Sequence, residues 1–241
     1  MALLAIIISA LMAFSEPEVL KIQSAIKGLP VGERIAYWAE QFIGTPYDKD
    51  PLGEYVSKKA IVSDERIDCM YMTFRVVELA LSSTPKEAID RALRLRFITA
   101  GRLSPDGIVL NYEDRYQYAE DMIFSRKWGI DITPSLGNTI EIEGSRGIER
   151  VSIIPKESLP YSIRSLKSGD IVYFIKSPKR RLVGEIVGHM GIIKSEEDIY
   201  LIHASGSKSS GGEVKKVRLS DYIKDMPFIG IMVTRFQEGL F

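Results

Sequence analysis

The hydrophobic period of this 241-residue chain changes halfway along it, and that change limits the folds open to it. In the first half apolar residues recur at helical spacing; beyond about residue 150 they fall into short Ile- and Val-rich runs. Glu18–Ile26 reads as a short helix, stopped near Gly28-Leu29-Pro30. Val31–Ile43 carries Ile35, Trp38, Ala39 and Phe42 on one stripe and ends at Gly44-Thr45-Pro46-Tyr47. A stronger helix opens near Asp68-Cys69. Met70, Phe74, Val77 and Leu81 share one of its faces, with Cys69, Thr73, Val76 and Ala80 beside them. Lys86–Leu95, opened by Thr84-Pro85, and Arg115–Lys127 complete the helical half. The later runs are Val151–Ile154, Asp170–Ile175, Val187–Ile193, Ile199–His203, Val214–Leu219 and Ile229–Thr234. Gly, Pro, Ser or charge clusters separate them, which predicts an antiparallel sheet or small barrel. Helices followed by strands make the chain α+β. With no repeat or long linker it reads as one domain from Glu16 to Phe241.

Ala2–Phe14 precedes that domain as an apolar run with no charge before Glu16. The run is shorter than the roughly 20 residues that a membrane-spanning helix needs. A signal peptide over residues 1–15 fits better, because Ala13-Phe14-Ser15 offers a small-x-small cleavage site. No Lys or Arg stands ahead of the run, so an uncleaved N-terminal anchor and a buried helix of a cytosolic protein remain open readings. The expected location is the periplasm, with no stable membrane insertion once the leader is gone. Lys plus Arg and Asp plus Glu are 32 each, and that balance argues against a nucleic-acid partner or a polybasic membrane-surface protein.

One cysteine rules out an intrachain disulfide framework, and two histidines argue against a multi-histidine metal centre. Cys69 lies at a helix start, where unpaired N–H groups and the helix dipole favour thiolate. Asp68 beside it can cap the helix, with a charge that opposes ionisation. His189 and His203 fall on adjacent strands joined by Ser195-Glu196-Glu197-Asp198. Pairing centred on Glu196 sets the two rings opposite each other on one face, and a register one residue off would separate them. Cys69 as nucleophile, His189 as base and His203 as orienting group fill the roles a thiol hydrolase needs. Gly188 and Gly191 would let a substrate or the cysteine helix approach the strand closely. A Cys/His/His zinc site is the alternative. Lys179-Arg180-Arg181 reads as a solvated turn. Ser207–Gly212 reads as a mobile loop able to line or cover a cleft.

The order GTPY, DC at a helix start, LKSGDIV, GHMGII and LIHAS resembles the papain-like cell-wall hydrolases of the NlpC superfamily. More narrowly it is similar to their N-acetylmuramoyl-L-alanine amidase-like branch, which carries a helical insertion here spanning about residues 84–135. The branch pattern R-x-x-Y-x-x-D falls on Arg115, Tyr118 and Asp121, followed by WGIDIT. The likeness covers about Ile35 to Tyr222. Met70, Tyr71 and Met122 depart from it, which bears on substrate fit rather than on the catalytic set. The resemblance implies a papain-like α+β fold with Cys69 as nucleophile, His189 as base and His203 as third polar residue. It also places Tyr47 and Ser205 near the site. Arg115 and Tyr118 are then candidate substrate contacts, Arg115 through a carboxylate that fits its planar fork; the other reading is a salt-bridged helix surface. The implied activity is hydrolysis of the amide between N-acetylmuramic acid and L-alanine in peptidoglycan fragments, with no metal or organic cofactor. A γ-D-glutamyl-diamino-acid endopeptidase, an acyl transferase and a non-catalytic wall-binding module are the rival readings.

Overall fold

The computed structural model describes residues 14–239, so the leader expected over residues 1–15 lies almost wholly outside the described residues. In chain order the helices are α1 (Glu16–Ile26), α2 (Val31–Gln41), α3 (Glu54–Ser57), α4 (Cys69–Ala80), α5 (Pro85–Leu95), α6 (Ala119–Ser125), α7 (Thr133–Leu136), α8 (Leu159–Ser162) and α9 (Leu219–Asp225). The strands are β1 (Ile130–Asp131), β2 (Ile140–Glu143), β3 (Arg150–Pro155), β4 (Ile171–Ile175), β5 (Val187–Ser195), β6 (Ile199–Ser207), β7 (Gly211–Arg218) and β8 (Gly230–Arg235). The fold is therefore α+β, and each of the six expected strand runs is at least partly strand. Val214–Leu219 overshoots by one residue, because Leu219 opens α9.

One helix differs from expectation. Arg115–Lys127 is helical only from Ala119, and Arg115 is extended, bridging Phe97. The cause is Asp121, whose carboxylate accepts the Gln117 and Tyr118 main-chain N–H groups at 3.2 and 3.1 Å. An acid three residues into a helix that reaches back to the cap fixes the start there. Arg115, Tyr118 and Asp121 consequently do not line one helix face.

The strands pair antiparallel in the order β2-β3-β8-β4-β5-β6-β7, with β1 also on β8. Among the described residues this is an open path rather than a closed barrel. β4 sits at its middle and is buried along its whole length. Ile171, Tyr173 and Ile175 join the core under α1, α2, α4 and α5, while Val172 and Phe174 join a second core under α8 and α9. Burial on both faces explains why this strand is a continuous apolar run instead of an alternating one. The turn before it needs glycine, since a Cβ on Gly169 (φ +83°) would lie 2.4 Å from Gly32 at the start of α2. Asp170 follows and accepts two hydrogen bonds from Arg235 at 2.6 and 2.7 Å, tying β4 to the end of β8.

α4 is enclosed on all sides from Tyr71 to Ala80. Its two buried charges survive because they are paired. Arg75 bonds Asp64 at 2.8 Å and Glu78 at 3.2 Å, and Arg96 from the end of α5 bonds Glu78 at 2.6 Å. Leaving any of these groups alone in that interior would be expensive. The network holds the helix that presents Cys69.

Candidate active site

Cys69 is the first residue of α4, and Asp68 is its N-cap, accepting the Tyr71 N–H at 2.8 Å. The half-buried thiol meets β5 at Met190, whose main-chain N–H faces the sulfur. The ladder between β5 and β6 runs from Ser195↔Ile199 to Ile192↔Ile202. Beyond it the Met190 N–H takes the sulfur as acceptor, so the cysteine enters where the ladder ends.

That ladder also corrects the expected register. It is centred on Glu197, not Glu196, and the turn is the three residues 196–198, closed by Glu196 N–H donating to Asp198 O at 3.0 Å. His203 therefore lies across from Gly191, where an added Cβ would be 3.0 Å from the His203 Cβ. The histidines are diagonal neighbours instead of direct partners. An odd turn length keeps them on one face, and they reach each other: His189 Nε2 and His203 Nδ1 are 2.7 Å apart. Phe174 and Phe228 stack alongside His189, and the Tyr222 ring stands 6.2 Å from His189 and 5.1 Å from His203.

Burial among these rings, with His203 beside it, lowers the His189 pKa to about 3. Burial and Lys215 lower that of His203 to about 4. Both rings are neutral near neutrality. Cys69 departs from the expectation of a depressed thiol: burial, then the Asp68 charge, push it up to about 12, and the main-chain N–H groups of Met190 on β5 and of Cys69 itself offset only part of this. The resting site thus holds thiol and imidazole, not an ion pair.

The other expected site residues divide. Tyr47 is at the site: its N–H donates to Gly212 O at 2.8 Å, and burial followed by the Cys69 charge raises its hydroxyl pKa. Ser205 lies on β6 two residues after His203, paired with Glu213, with the side chain half-buried. Arg115 instead covers the Tyr112 ring and donates to Tyr112 O at 3.2 Å. Tyr118 stacks under the Arg146 guanidinium, 3.5 Å from the ring centroid. No contact joins either of these two to Cys69 or the histidines. Ser207–Gly212, expected to be a mobile loop, is instead the end of a hairpin: Ser207 closes β6, Gly211 and Gly212 open β7, and residues 208–210 form a tight turn with Ser207 Oγ 2.7 Å from Ser210 Oγ.

Tyr222, Asp48 and Lys208 belong to the site's surroundings and carry no sequence signal, because each is brought there by tertiary packing. Lys208 Nζ is 3.5 Å from Asp68 and 3.9 Å from Asp48. Among the described residues, no group of three or more His, Cys, Asp or Glu is gathered in a metal-holding arrangement. A groove of about 910 Å³ beside α8 and the β5–β6 turn includes none of the site residues.

The fold has relatives among solved structures. An N-acetylmuramoyl-L-alanine amidase from Bacteroides uniformis is similar, with a TM-score of 0.65 and 21% identity over 86% of this chain and 99% of that one. A Legionella pneumophila protein described under the family model DUF1460 gives a TM-score of 0.70 and 16% identity, over 90% of this chain and 93% of that one. At such identities the likeness is one of fold. The chain matches no protein-family model, and no curated protein matches it.

Proposed function

We propose that this protein is an exported cysteine amidase that hydrolyses an amide in peptidoglycan fragments, the bond between N-acetylmuramic acid and L-alanine. The observation that carries the reading is the 2.7 Å bond between His189 and His203, on the strand whose next residue aims its N–H at the Cys69 sulfur. A base oriented by a third group beside a thiol is the arrangement that nucleophilic catalysis requires. The substrate is supported by the fold shared with a structure named an amidase of this kind and by the ordered motifs from Gly44 to Ser205.

In the reaction, His203 fixes the His189 ring through Nε2 and leaves Nδ1 to take the thiol proton. The sulfur attacks the carbonyl carbon, and main-chain N–H groups at the start of α4 receive the oxyanion. His189 returns the proton to the leaving nitrogen, which departs as the amine of L-alanine. Water, deprotonated by the same ring, then cleaves the thioester and frees the muramic acid carboxylate.

The test is the full chain and its Cys69→Ala variant on a disaccharide-tetrapeptide, with mass spectrometry of the products. Free disaccharide plus intact tetrapeptide is expected, and the variant should be slower by at least about a thousandfold. A disaccharide-dipeptide product would move the scissile bond to the γ-D-glutamyl position. No cleavage by either chain would overturn the amidase reading.

A further inference from the structure

We propose that Lys208 is a positioning residue for the Cys69 thiol: the β6–β7 turn carries its ammonium between the Asp68 and Asp48 carboxylates, and that charge offsets the Asp68 charge that opposes ionisation of the neighbouring thiol. The Nζ atom is enclosed, 3.5 Å from Asp68 and 3.9 Å from Asp48, and 5.7 Å from the centre of the Tyr47 ring. At these distances it pairs by charge with both carboxylates. An enclosed ammonium is costly unless its charge is balanced where it sits. Here the balance is mutual, because without Lys208 the Asp68 charge would bear on the thiol unopposed.

The turn is built to deliver this residue. A Cβ on Gly206 would be 2.6 Å from the Tyr47 ring, and one on Gly212 (φ +145°) would be 2.0 Å from Ser205 O. Glycine at both places brings the hairpin against the Tyr47 loop, where Tyr47 N–H donates to Gly212 O. Asp48 is itself held by the Asp50 and Glu54 N–H groups at 2.9 and 2.6 Å, so the acceptor side is rigid. The groups that bear on Cys69 are then Asp68 at its own helix start, Tyr47 from the loop, Tyr222 from α9 and Lys208, while Asp48 bears on Asp68 and Tyr47, and the two histidines on β5 and β6 bear on each other. Lys208 is the cation in that set; both histidines are neutral near pH 7. The direction agrees: its charge favours the thiolate that Asp68 opposes.

Cys69 is the chain's one thiol, so its ionisation can be read without any substrate. The inference depends on the nucleophile reading for its catalytic consequence and not for its measurement. The rate of iodoacetamide alkylation is followed against pH for the wild type, Lys208→Met, Lys208→Arg and the double variant Lys208→Met/Asp68→Asn, each checked by thermal melting. Lys208→Met should move the midpoint up by about one pH unit. Lys208→Arg should stay near the wild type, and the double variant should return toward it, since asparagine still caps the helix. An unmoved midpoint in folded Lys208→Met, or a Lys208→Arg chain that titrates like Lys208→Met, would overturn the proposal. Loss of amidase turnover with an unmoved midpoint would do the same while leaving the amidase reading intact.

Discussion

His189 and His203 share one hydrogen bond, and its direction decides which nitrogen can act as a base. If His189 Nε2–H donates to His203 Nδ1, the free nitrogen of His189 is a lone pair; in the reverse direction it is a donor and useless for taking a proton. The proposed mechanism therefore predicts the Nε2–H tautomer for both rings. Nitrogen-15 NMR at pH 7 should show two neutral imidazoles in that form, remaining neutral until about pH 3–4. A ring titrating near 6.5 would contradict the buried pair. At this scale the sequence was informative where a residue type is rare: one cysteine and two histidines left few arrangements to consider. It was silent on Lys208 and Tyr222, one lysine and one tyrosine among many, whose positions follow from contacts with residues far away in the chain.

Elements are legible when their boundaries carry local chemistry. Thr84-Pro85 marked α5, and the apolar stripes marked α2 and α4. The β5–β6 hairpin was legible in parity and not in register, because a three-residue turn preserves which face a side chain occupies while its centre depends on one main-chain bond. The start of α1 bears on the cleavage site expected from the sequence. Ser15 donates to the Glu18 carboxylate from N at 2.8 Å and from Oγ at 2.6 Å, and Phe14 packs edge-on against Trp38 and Phe42. Cleavage ahead of Glu16 would remove both. A chain beginning at Glu16 should be less stable than one beginning at Phe14 by about 1–3 kcal/mol, from a lost cap and a lost buried ring. Urea unfolding of the two checks this; equal midpoints would show that neither residue contributes.

For the whole molecule the buried site sets limits on stability with pH. An unfolded histidine binds its proton near pH 6.5, but these two resist until about 3 and 4, so the unfolded chain gains more protons and stability falls as acid is added below 6.5. On the alkaline side the unfolded thiol ionises near 9.0 and the folded one near 12, so stability falls as pH rises above 9. Cys69→Ala removes that second loss. Its melting temperature should gain on the wild type by several degrees between pH 8 and 10.5, corresponding to about 2 kcal/mol. A constant difference across that range would mean that its surroundings do not raise the pKa of the folded thiol. Fold class was legible at this scale because the change of hydrophobic period separates helices from strands; strand order was not, because pairing between distant segments leaves no local mark.

That order has a consequence for biosynthesis. Among the described residues β8 is the last strand, and it lies between β3 and β4 and joins the β2–β3 hairpin to the β4–β7 block. On the ribosome, the site's cysteine and both histidines are made while the sheet beneath them still has an open slot. Until residues 230–235 emerge, β4 offers an unpaired apolar edge to any strand nearby. The nascent chain is thus most exposed to mispairing just before residues 230–235 emerge.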